Sequence, residues 1–187
     1  MAPNGFPAGQ RVQYLTLNHD TVTAWCHLPD DETILLLTPV IPQPQQTSNG
    51  NHREKDPFEG LGRMLGSIHN RGMIQHVPYV PRIGLTDVHH NHLDETATVL
   101  VVVSEPAGLQ GEGRQSSIDS QRAFAQAAMD DYNIIHEGTE PAALVLLYCG
   151  RDRFLPPNNI ETCLQCEGYT GQDWAAVANK LLKGHEA

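Results

Sequence analysis

Four runs of apolar residues dominate the hydrophobic pattern of this chain. They occupy residues 33–40 (TILLLTPV), 73–80 (MIQHVPYV), 98–104 (TVLVVVS) and 142–150 (AALVLLYCG). Unbroken runs rich in Val, Ile and Leu are typical of strands covered on both faces, which means parallel strands joined by crossover helices. The pattern therefore predicts an α/β fold with a doubly wound, mostly parallel sheet of about five strands, a flavodoxin-like three-layer sandwich.

Helical patterns lie between and after these runs. Apolar residues recur at helical spacing, or follow a capping Thr or Asp, over residues 58–69, 86–95, 117–132 and 173–182. Residues 11–28 are rich in strand-forming residues and predict an extended or hairpin-like entry segment. Residues 163–169 predict a last short strand, and residues 108–113 (GLQGEG) predict a loop that contains glycines.

A single domain is the expected organisation for a chain of 187 residues. We expect residues 1–10 to be disordered, residues 11–187 to form one α/β domain, and the polar residues 42–57 to form a mobile loop within it. The first ten residues, MAPNGFPAGQ, lack the basic and apolar stretches of a signal peptide. Four cysteines are too few for a disulfide scaffold, so the prediction is a cytoplasmic protein.

Charge narrows the choice of partner. The formal net charge of -10 provides no basic stripe to neutralise phosphates, which argues against nucleic acid as a partner. The same charge disfavours an anionic membrane surface. No apolar run approaches the roughly 20 residues needed to span a bilayer. A nucleic-acid or membrane partner is therefore not expected.

Three histidines in the predicted helix over residues 86–95 are the densest group of candidate metal ligands. His89 and His92 lie three residues apart, on one face of a helix, whereas His90 faces Asp94. Zinc needs three or four converging ligands, and the HExxH spacing is absent. We therefore expect neither a metal nor a cofactor, and His89 and His92 are the candidate ligands if a metal binds.

Cys163 and Cys166 form a lone CxxC pattern. A structural zinc site would need a second pair, and Cys26 and Cys149 are too scattered to supply it. A redox CxxC normally lies at a helix N-terminus, where the helix dipole lowers the thiol pKa. Because this pattern falls in the predicted last strand, the favoured interpretation is a set of structural thiols.

Polar side chains follow two of the predicted strands at their carboxyl ends. Glu105 and Glu112 come after the run over residues 98–104, and Arg151 and Asp152 come after the run over residues 142–150. A sugar or another small polar ligand could be hydrogen-bonded there, although solvated loops explain the same residues. The loop GLQGEG matches neither GxGxxG nor a P-loop, so phosphate binding is not predicted.

A hydrolase with a catalytic triad is one alternative. The segment LVLLYCGRDRFLPP resembles the strand and turn that present the triad acid in α/β-hydrolases, with Asp152 in the place of the acid. Ser104 would be the nucleophile and His185, or else His136, the base; the chain order Ser104, Asp152, His185 is the required one. The nucleophile elbow GxSxG is missing, however, since the sequence around Ser104 reads VVSEP.

A longer resemblance covers residues 11–184. The succession ILLLTPV, a polar loop, FEGLGRMLGS, VPYVPRIGLT, HLDETATVLVVVSE and LVLLYCGRDRFLPPNNIETCLQCEGYTGQDWAAVANKLLKG resembles the C-terminal α/β domain of fungal glycoside hydrolase family 3 enzymes, in the β-N-acetylglucosaminidase-like branch. The positions that match the family pattern are residues 148–152, 163–169 and 174–184. The resemblance rests mostly on pattern and spacing.

The resemblance implies a role without catalysis. In that family the nucleophilic Asp and the acid/base residues lie in a separate (β/α)8 barrel of about 250 residues, for which this chain has no room. The chain would then be a stand-alone or truncated accessory domain that binds a carbohydrate or a barrel-type hydrolase chain. None of the barrel's catalytic residues can be transferred to it.

Two other hypotheses stay open. The chain could be a small esterase that uses Ser104, Asp152 and His185. It could instead be an interaction subunit whose exposed apolar face docks a separate catalytic chain or forms a homo-oligomer. If it is an enzyme, we expect a hydrolase.

Overall fold

The computed structural model describes residues 10–41, 56–69, 73–137 and 143–184, which contain six strands and five helices. The strands are β1 (Val12–Thr16), β2 (Ile34–Pro39), β3 (Ile74–Tyr79), β4 (Thr98–Ser104), β5 (Ala143–Cys149) and β6 (Cys163–Cys166). The helices are α1 (His19–Cys26), α2 (Glu59–Ile68), α3 (Asp87–Glu95), α4 (Gly111–Ile135) and α5 (Gly171–Leu182). None of these helices is long and apolar enough to cross a membrane.

The six strands form one sheet in the order β1-β6-β5-β4-β2-β3. β1 runs antiparallel to β6 at one edge, and the other five strands are parallel. The chain steps from β2 to β3 on one side and then to β4 on the other, so the direction of winding changes between β2 and β4. The predicted doubly wound, mostly parallel sheet is confirmed, with β1 as a sixth strand.

Helices cover both faces of the sheet, as the unbroken apolar strands predicted. Within β2, Leu36 packs into the cluster that contains side chains of α1, α2 and α5, whereas Leu35 and Leu37 pack into the cluster that contains side chains of α3 and α4. All three side chains are fully buried. Since burial of each such side chain contributes roughly 1.5–3 kcal/mol, the three-layer packing is the main source of stability.

The entry segment differs from its prediction. Residues 11–28 hold β1 and then α1, so the hairpin-like interpretation is wrong for the second half of this segment. The Asn18 side chain accepts hydrogen bonds from the backbone N–H groups of Asp20 and Thr21, at 2.8 and 3.1 Å, and so begins the helix. Trp25 is fully buried and donates to the Ala143 carbonyl oxygen at 2.9 Å. This cap and this burial outweigh the strand preference of the Thr and Val residues between them.

The glycine-containing loop is shorter than predicted. α4 begins at Gly111, so Gly113 lies inside the helix and the loop prediction is wrong for residues 111–113. Gly108 does lie in the loop, with a φ of 76° that favours glycine. The last strand ends at Cys166 and does not continue to residue 169. Residues 1–9 and 42–55 lie outside the described residues, so the predictions of a disordered N-terminus and a mobile loop stay predictions.

Candidate functional site

The carboxyl ends of the five parallel strands meet at one edge of the sheet, which we call the carboxyl edge. The strands end there at Pro39, Tyr79, Ser104, Cys149 and Cys166. Binding sites of open α/β sheets lie outside this edge, near the point where the winding changes. The sequence placed Glu105, Glu112, Arg151 and Asp152 here, and the structure shows how each is held.

Glu105 is the centre of a hydrogen-bond network at the carboxyl edge. Its Oε1 accepts from the Tyr148 hydroxyl at 2.5 Å and from the Asp152 backbone N–H at 3.1 Å. A guanidinium nitrogen of Arg114 lies 2.7 Å from the same oxygen. A second nitrogen of Arg114 lies 2.7 Å from Asp152 Oδ2. One arginine therefore bridges two of the three carboxylates that the sequence singled out at this edge.

The network changes the pKa of two of its members. Burial alone would lower the pKa of Arg114, but the charges of Glu105 and Asp152 outweigh it and raise that pKa. Burial raises the pKa of Tyr148 well above its usual value, and the hydrogen bond to Glu105 adds to the shift. The guanidinium thus stays charged and the phenol stays a donor at neutral pH. The carboxylates of Glu105 and Asp152 are thus both paired with groups of the same domain.

Arg151 and Glu112 lie outside this network. Arg151 pairs with Glu167 at 3.2 Å, and its side chain is 75% exposed. Ion pairs this exposed contribute little to stability, typically about 0–1 kcal/mol. Glu112 is exposed in the first turn of α4, where the helix dipole favours a negative charge. The four predicted ligand-binding residues therefore share one edge but do not converge on one point.

Ser104, proposed as a nucleophile, is fully buried at the end of β4. Its Oγ forms a hydrogen bond with the Tyr169 hydroxyl, which also donates to the Glu105 backbone oxygen at 3.2 Å. The Gln121 amide bonds both backbone polar groups of Ser104, at 2.7 and 2.9 Å. A nucleophile must be reached by its substrate, whereas this hydroxyl has no exposed surface.

The other triad candidates that the structure describes have partners of their own. Asp152 is bonded to Arg114. His185 lies outside the described residues. His136, the alternative base, lies just after α4 and has its Nε2 2.9 Å from the backbone oxygen of Leu93 in α3.

The three histidines of α3 are held by three different partners. His89 is buried, with Nδ1 2.8 Å from Thr86 Oγ1 at the start of the helix. His92 Nδ1 lies 2.9 Å from the Gln75 amide of β3, and His90 Nδ1 lies 2.6 Å from Asp131 of α4. Across the described residues, no group of three or more His, Cys, Asp or Glu side chains lies close enough together to hold a metal ion.

We expect the His90–Asp131 pair to stabilise the fold in mildly acidic solution. The hydrogen bond to Asp131 and the charge of that carboxylate raise the pKa of His90. This contribution is fully present below the unfolded-state value of about 6.5 and is lost as the pH rises through the raised pKa. Thermal unfolding of the wild type and of His90→Ala should differ more at about pH 5.5 than at about pH 8.5. In an Asp131→Asn background, the effect of His90→Ala on thermal unfolding should no longer depend on pH. An effect of His90→Ala in the wild type that is equal at both pH values would contradict the prediction.

The four cysteines are free thiols, and the two cysteines of the CxxC pattern lie on opposite faces of the sheet. Side chains alternate along a strand, so Cys163 packs with the α3/α4 side of the sheet and Cys166 with the α1/α2/α5 side. The nearest thiol to Cys166 is that of Cys149 on β5, at 3.3 Å between the sulfur atoms. The strand position of the pattern is confirmed, and it separates the two cysteines.

Exposed aliphatic side chains concentrate at the carboxyl edge. Those in segments that directly follow parallel strands are Val40, Val80, Ile83, Val88, Leu109 and Leu155, with 41–67% of each side chain exposed. The other large exposed apolar side chains of the described residues are Leu17, Met73 and Ile134, which lie towards the opposite edge. A groove of about 340 Å³ between residues 81–85 and α4 is lined by Ile83, Leu85 and Phe124, among others. Among the described residues, the carboxyl edge thus carries six of the nine large exposed apolar side chains.

Four residues of the edge were missed by the sequence analysis: Arg114, Gln121, Tyr148 and Tyr169. Arg114 would have been noticed if α4 had been extended back to Gly111, because an arginine in the first turns of that helix faces the strand ends. Tyr148 lies in an apolar segment, where an aromatic residue is usually part of the core, and Tyr169 lies in the polar turn EGYTGQD. No sequence signal distinguishes their hydroxyl contacts from ordinary packing.

Solved structures with the same fold include enzymes of glycoside hydrolase family 3. One is a fungal multi-domain β-N-acetylglucosaminidase of that family, which is described as having a GCN5-related glucosamine N-acetyltransferase region. It matches with a TM-score of 0.58 and 16% identity, over 94% of this chain and 17% of the enzyme chain. A family 3 β-N-acetylglucosaminidase from a Paenibacillus species matches with a TM-score of 0.54 and 15% identity, over 92% of this chain and 28% of the other. A β-glucosidase from Listeria innocua matches with a TM-score of 0.52 and 11% identity, over 91% and 23%. No protein-family model matches the sequence, and no curated protein matches it either.

These matches define the class of fold. The chain spans between a sixth and a third of the length of the three enzymes, and its sheet is open and mostly parallel. It therefore has the fold of an accessory α/β region of family 3 glycoside hydrolases and not of their barrel. The resemblance seen in the sequence is confirmed at this level.

Proposed function

We propose that this chain is an accessory domain of the family 3 type that docks a (β/α)8 barrel chain through its carboxyl edge and is not catalytic by itself. The observation that carries the proposal is the concentration of exposed aliphatic side chains at that edge. Exposed apolar patches on soluble domains mark interaction surfaces. In the multi-domain enzymes that share this fold, such a region is part of the same chain as the catalytic machinery.

The character of the exposed residues favours a protein partner over a sugar. Sugar rings are commonly held against exposed aromatic faces, because an aromatic ring offers a large flat apolar surface. Both tryptophans are buried, with Trp25 at 0% and Trp174 at 2% exposure, and no aromatic residue among those the structure describes is classed as exposed. Branched aliphatic side chains such as Ile83 and Leu155 instead suit a packed protein interface.

The state of the polar residues supports an absence of catalysis in the chain alone. Glu105 and Asp152 are both paired with Arg114. Ser104 is fully buried. Catalysis by acid, base or nucleophile requires a group that the substrate can reach. A partner that carries the catalytic residues is therefore the simplest role for this edge.

Binding to an isolated barrel tests the proposal. The probe is the barrel of the fungal family 3 β-N-acetylglucosaminidase, produced without its own α/β region and titrated with this chain by calorimetry. We expect a measurable complex, and Ile83→Asp should weaken it about 10- to 100-fold, because a carboxylate would be buried in an apolar contact. Ile134→Asp is the matched control: its side chain is 74% exposed, but it lies near the end of α4 towards the opposite edge.

Three results would count against this function. The first is no complex at about 100 μM protein, and the second is equal weakening by the two Asp variants. The third is activity of the chain alone on an aryl N-acetylglucosaminide or a short-chain aryl ester. Ester hydrolysis that disappears in Ser104→Ala would establish the esterase hypothesis in place of the accessory domain. Circular dichroism of both Asp variants would verify that the fold is unchanged.

A further inference from the structure

Two buried cysteines face each other at the carboxyl ends of neighbouring strands. Cys149 is the last residue of β5 and Cys166 the last residue of β6, and the parallel register pairs them directly. Both side chains are fully buried on the same side of the sheet, and their sulfur atoms are 3.3 Å apart. Neither thiol has a part in the proposed docking function.

We propose that Cys149 and Cys166 form a reversible disulfide, a modification site at the carboxyl edge that contains only one cysteine of the CxxC pattern. Disulfides need Cα atoms about 4.4–6.8 Å apart, and neighbouring strands are about 4.7–4.9 Å apart. The sulfur atoms must then approach by a little over an ångström, from 3.3 Å to about 2.05 Å, which small side-chain rotations can supply.

The reaction is a thiol exchange with a small disulfide such as oxidised glutathione. A thiolate of the pair attacks one glutathione sulfur, the glutathione disulfide bond breaks, and one glutathione thiolate leaves. The second cysteine, after losing its proton, attacks the mixed disulfide and releases the other glutathione. The cysteine pair is thereby oxidised by two electrons, and the glutathione disulfide is reduced to two thiols.

Both thiols are fully buried, and both strand ends are paired on either side. The exchange therefore needs a transient local opening of these strand ends, which makes it a slow, single modification. Burial and the neighbouring Cys166 thiol raise the pKa of Cys149, so the exchange is slow at neutral pH and is best run at about pH 8.5. The bond would join the turns that carry Arg151 and Glu167.

Peptide mapping of the oxidised wild-type chain tests the proposal. The chain is treated with oxidised glutathione at about pH 8.5, denatured, alkylated and digested. We expect the peptides that carry Cys149 and Cys166 to be joined and lighter by about 2 Da, and neither cysteine to be alkylated until a reductant is added, whereas Cys163 is alkylated. Cys26 is partly exposed and can separately form a mixed disulfide with glutathione, so it is not used as a control. Cys163 is the internal control, because it is equally buried on the same strand but faces the other side of the sheet.

The mapping uses the wild-type chain, so its result does not depend on whether a cysteine variant folds. Alkylation of Cys149 and Cys166 to the same extent as Cys163 after oxidation would overturn the proposal. A disulfide found between any other two cysteines would overturn it as well. Cys163→Ala should leave the bond unchanged, whereas Cys149→Ala should leave Cys166 open to alkylation or joined to glutathione.

Discussion

Replacement of Trp174 with alanine should lower the free energy of unfolding by about 3–5 kcal/mol, the range measured for large aromatic residues in cores. Trp174 is 2% exposed, and its ring lies against those of Phe58 and Tyr169, with centroids 6.2 and 5.9 Å apart. The fit is close: a Cβ atom at Gly60 would come within 2.9 Å of the Trp174 ring. Removal of the ring leaves a cavity where α2 and α5 meet, and the neighbouring helices cannot fill it without moving.

Urea-induced unfolding, followed by circular dichroism, measures this effect. Ile134→Ala is a suitable control, because that side chain is 74% exposed and its loss should change stability by no more than about 0.5 kcal/mol. A loss below about 1 kcal/mol in Trp174→Ala would contradict the packing described for α2 and α5. Trp174→Phe should give an intermediate loss, since it keeps part of the apolar surface.

Substitution of Gly150 by alanine should also destabilise the chain, by about 1–3 kcal/mol. A Cβ atom at this position would overlap the Glu105 carboxyl group. Glu105 cannot move aside freely, because Tyr148, Arg114 and the Asp152 backbone hold its Oε1. The added methyl group must therefore either strain the end of β5 or break this network.

A double-mutant cycle separates this clash from the general effect of losing a glycine. Glu105→Ala removes the overlapping group, so Gly150→Ala should cost much less in the Glu105→Ala background, as judged by urea-induced unfolding. Gly113→Ala is the matched control, because Gly113 lies inside α4 and a Cβ atom there would meet open space. This substitution should raise the free energy of unfolding by about 0.5–1 kcal/mol. Equal costs of Gly150→Ala in both backgrounds would contradict the proposed overlap.

The sheet was predictable because its strands are buried on both faces. β2 and β4 have no exposed position, so their sequences ILLLTP and TVLVVVS contain almost no polar residues and cannot be mistaken for half-exposed strands. The sequence predicted a doubly wound sheet, because parallel strands require crossover connections, but it did not predict the order of the strands. The helix α1 was not predicted, because Thr21, Val22 and Thr23 favour strands and the deciding contacts of Trp25 are made with a distant part of the chain.

The candidate site was predictable in its location but not in its connections. Glu105 and Asp152 were found because residues after parallel strands must share one edge. Their common partner Arg114 could be placed only if the start of α4 were known. Three glycines near that start disfavour a helix, so the sequence did not indicate it. The burial of Ser104 could not be foreseen either, because it results from contacts with Tyr169 and Gln121, which are far from it in sequence.

The antiparallel strand at the edge of the sheet has a consequence for the order in which the chain can assemble. β1 leaves the ribosome before the other five described strands, yet Val12 pairs with Cys166 and Arg11 bonds to Asp173, near the other end of the described chain. The parallel pairs among β2, β3, β4 and β5 can form earlier, since their partners emerge sooner. The union of β1 with β6 closes a loop of about 150 residues and so carries a large entropic cost. During translation, β1 therefore cannot pair until β6 has been synthesised, whereas β2, β3, β4 and β5 can pair before that.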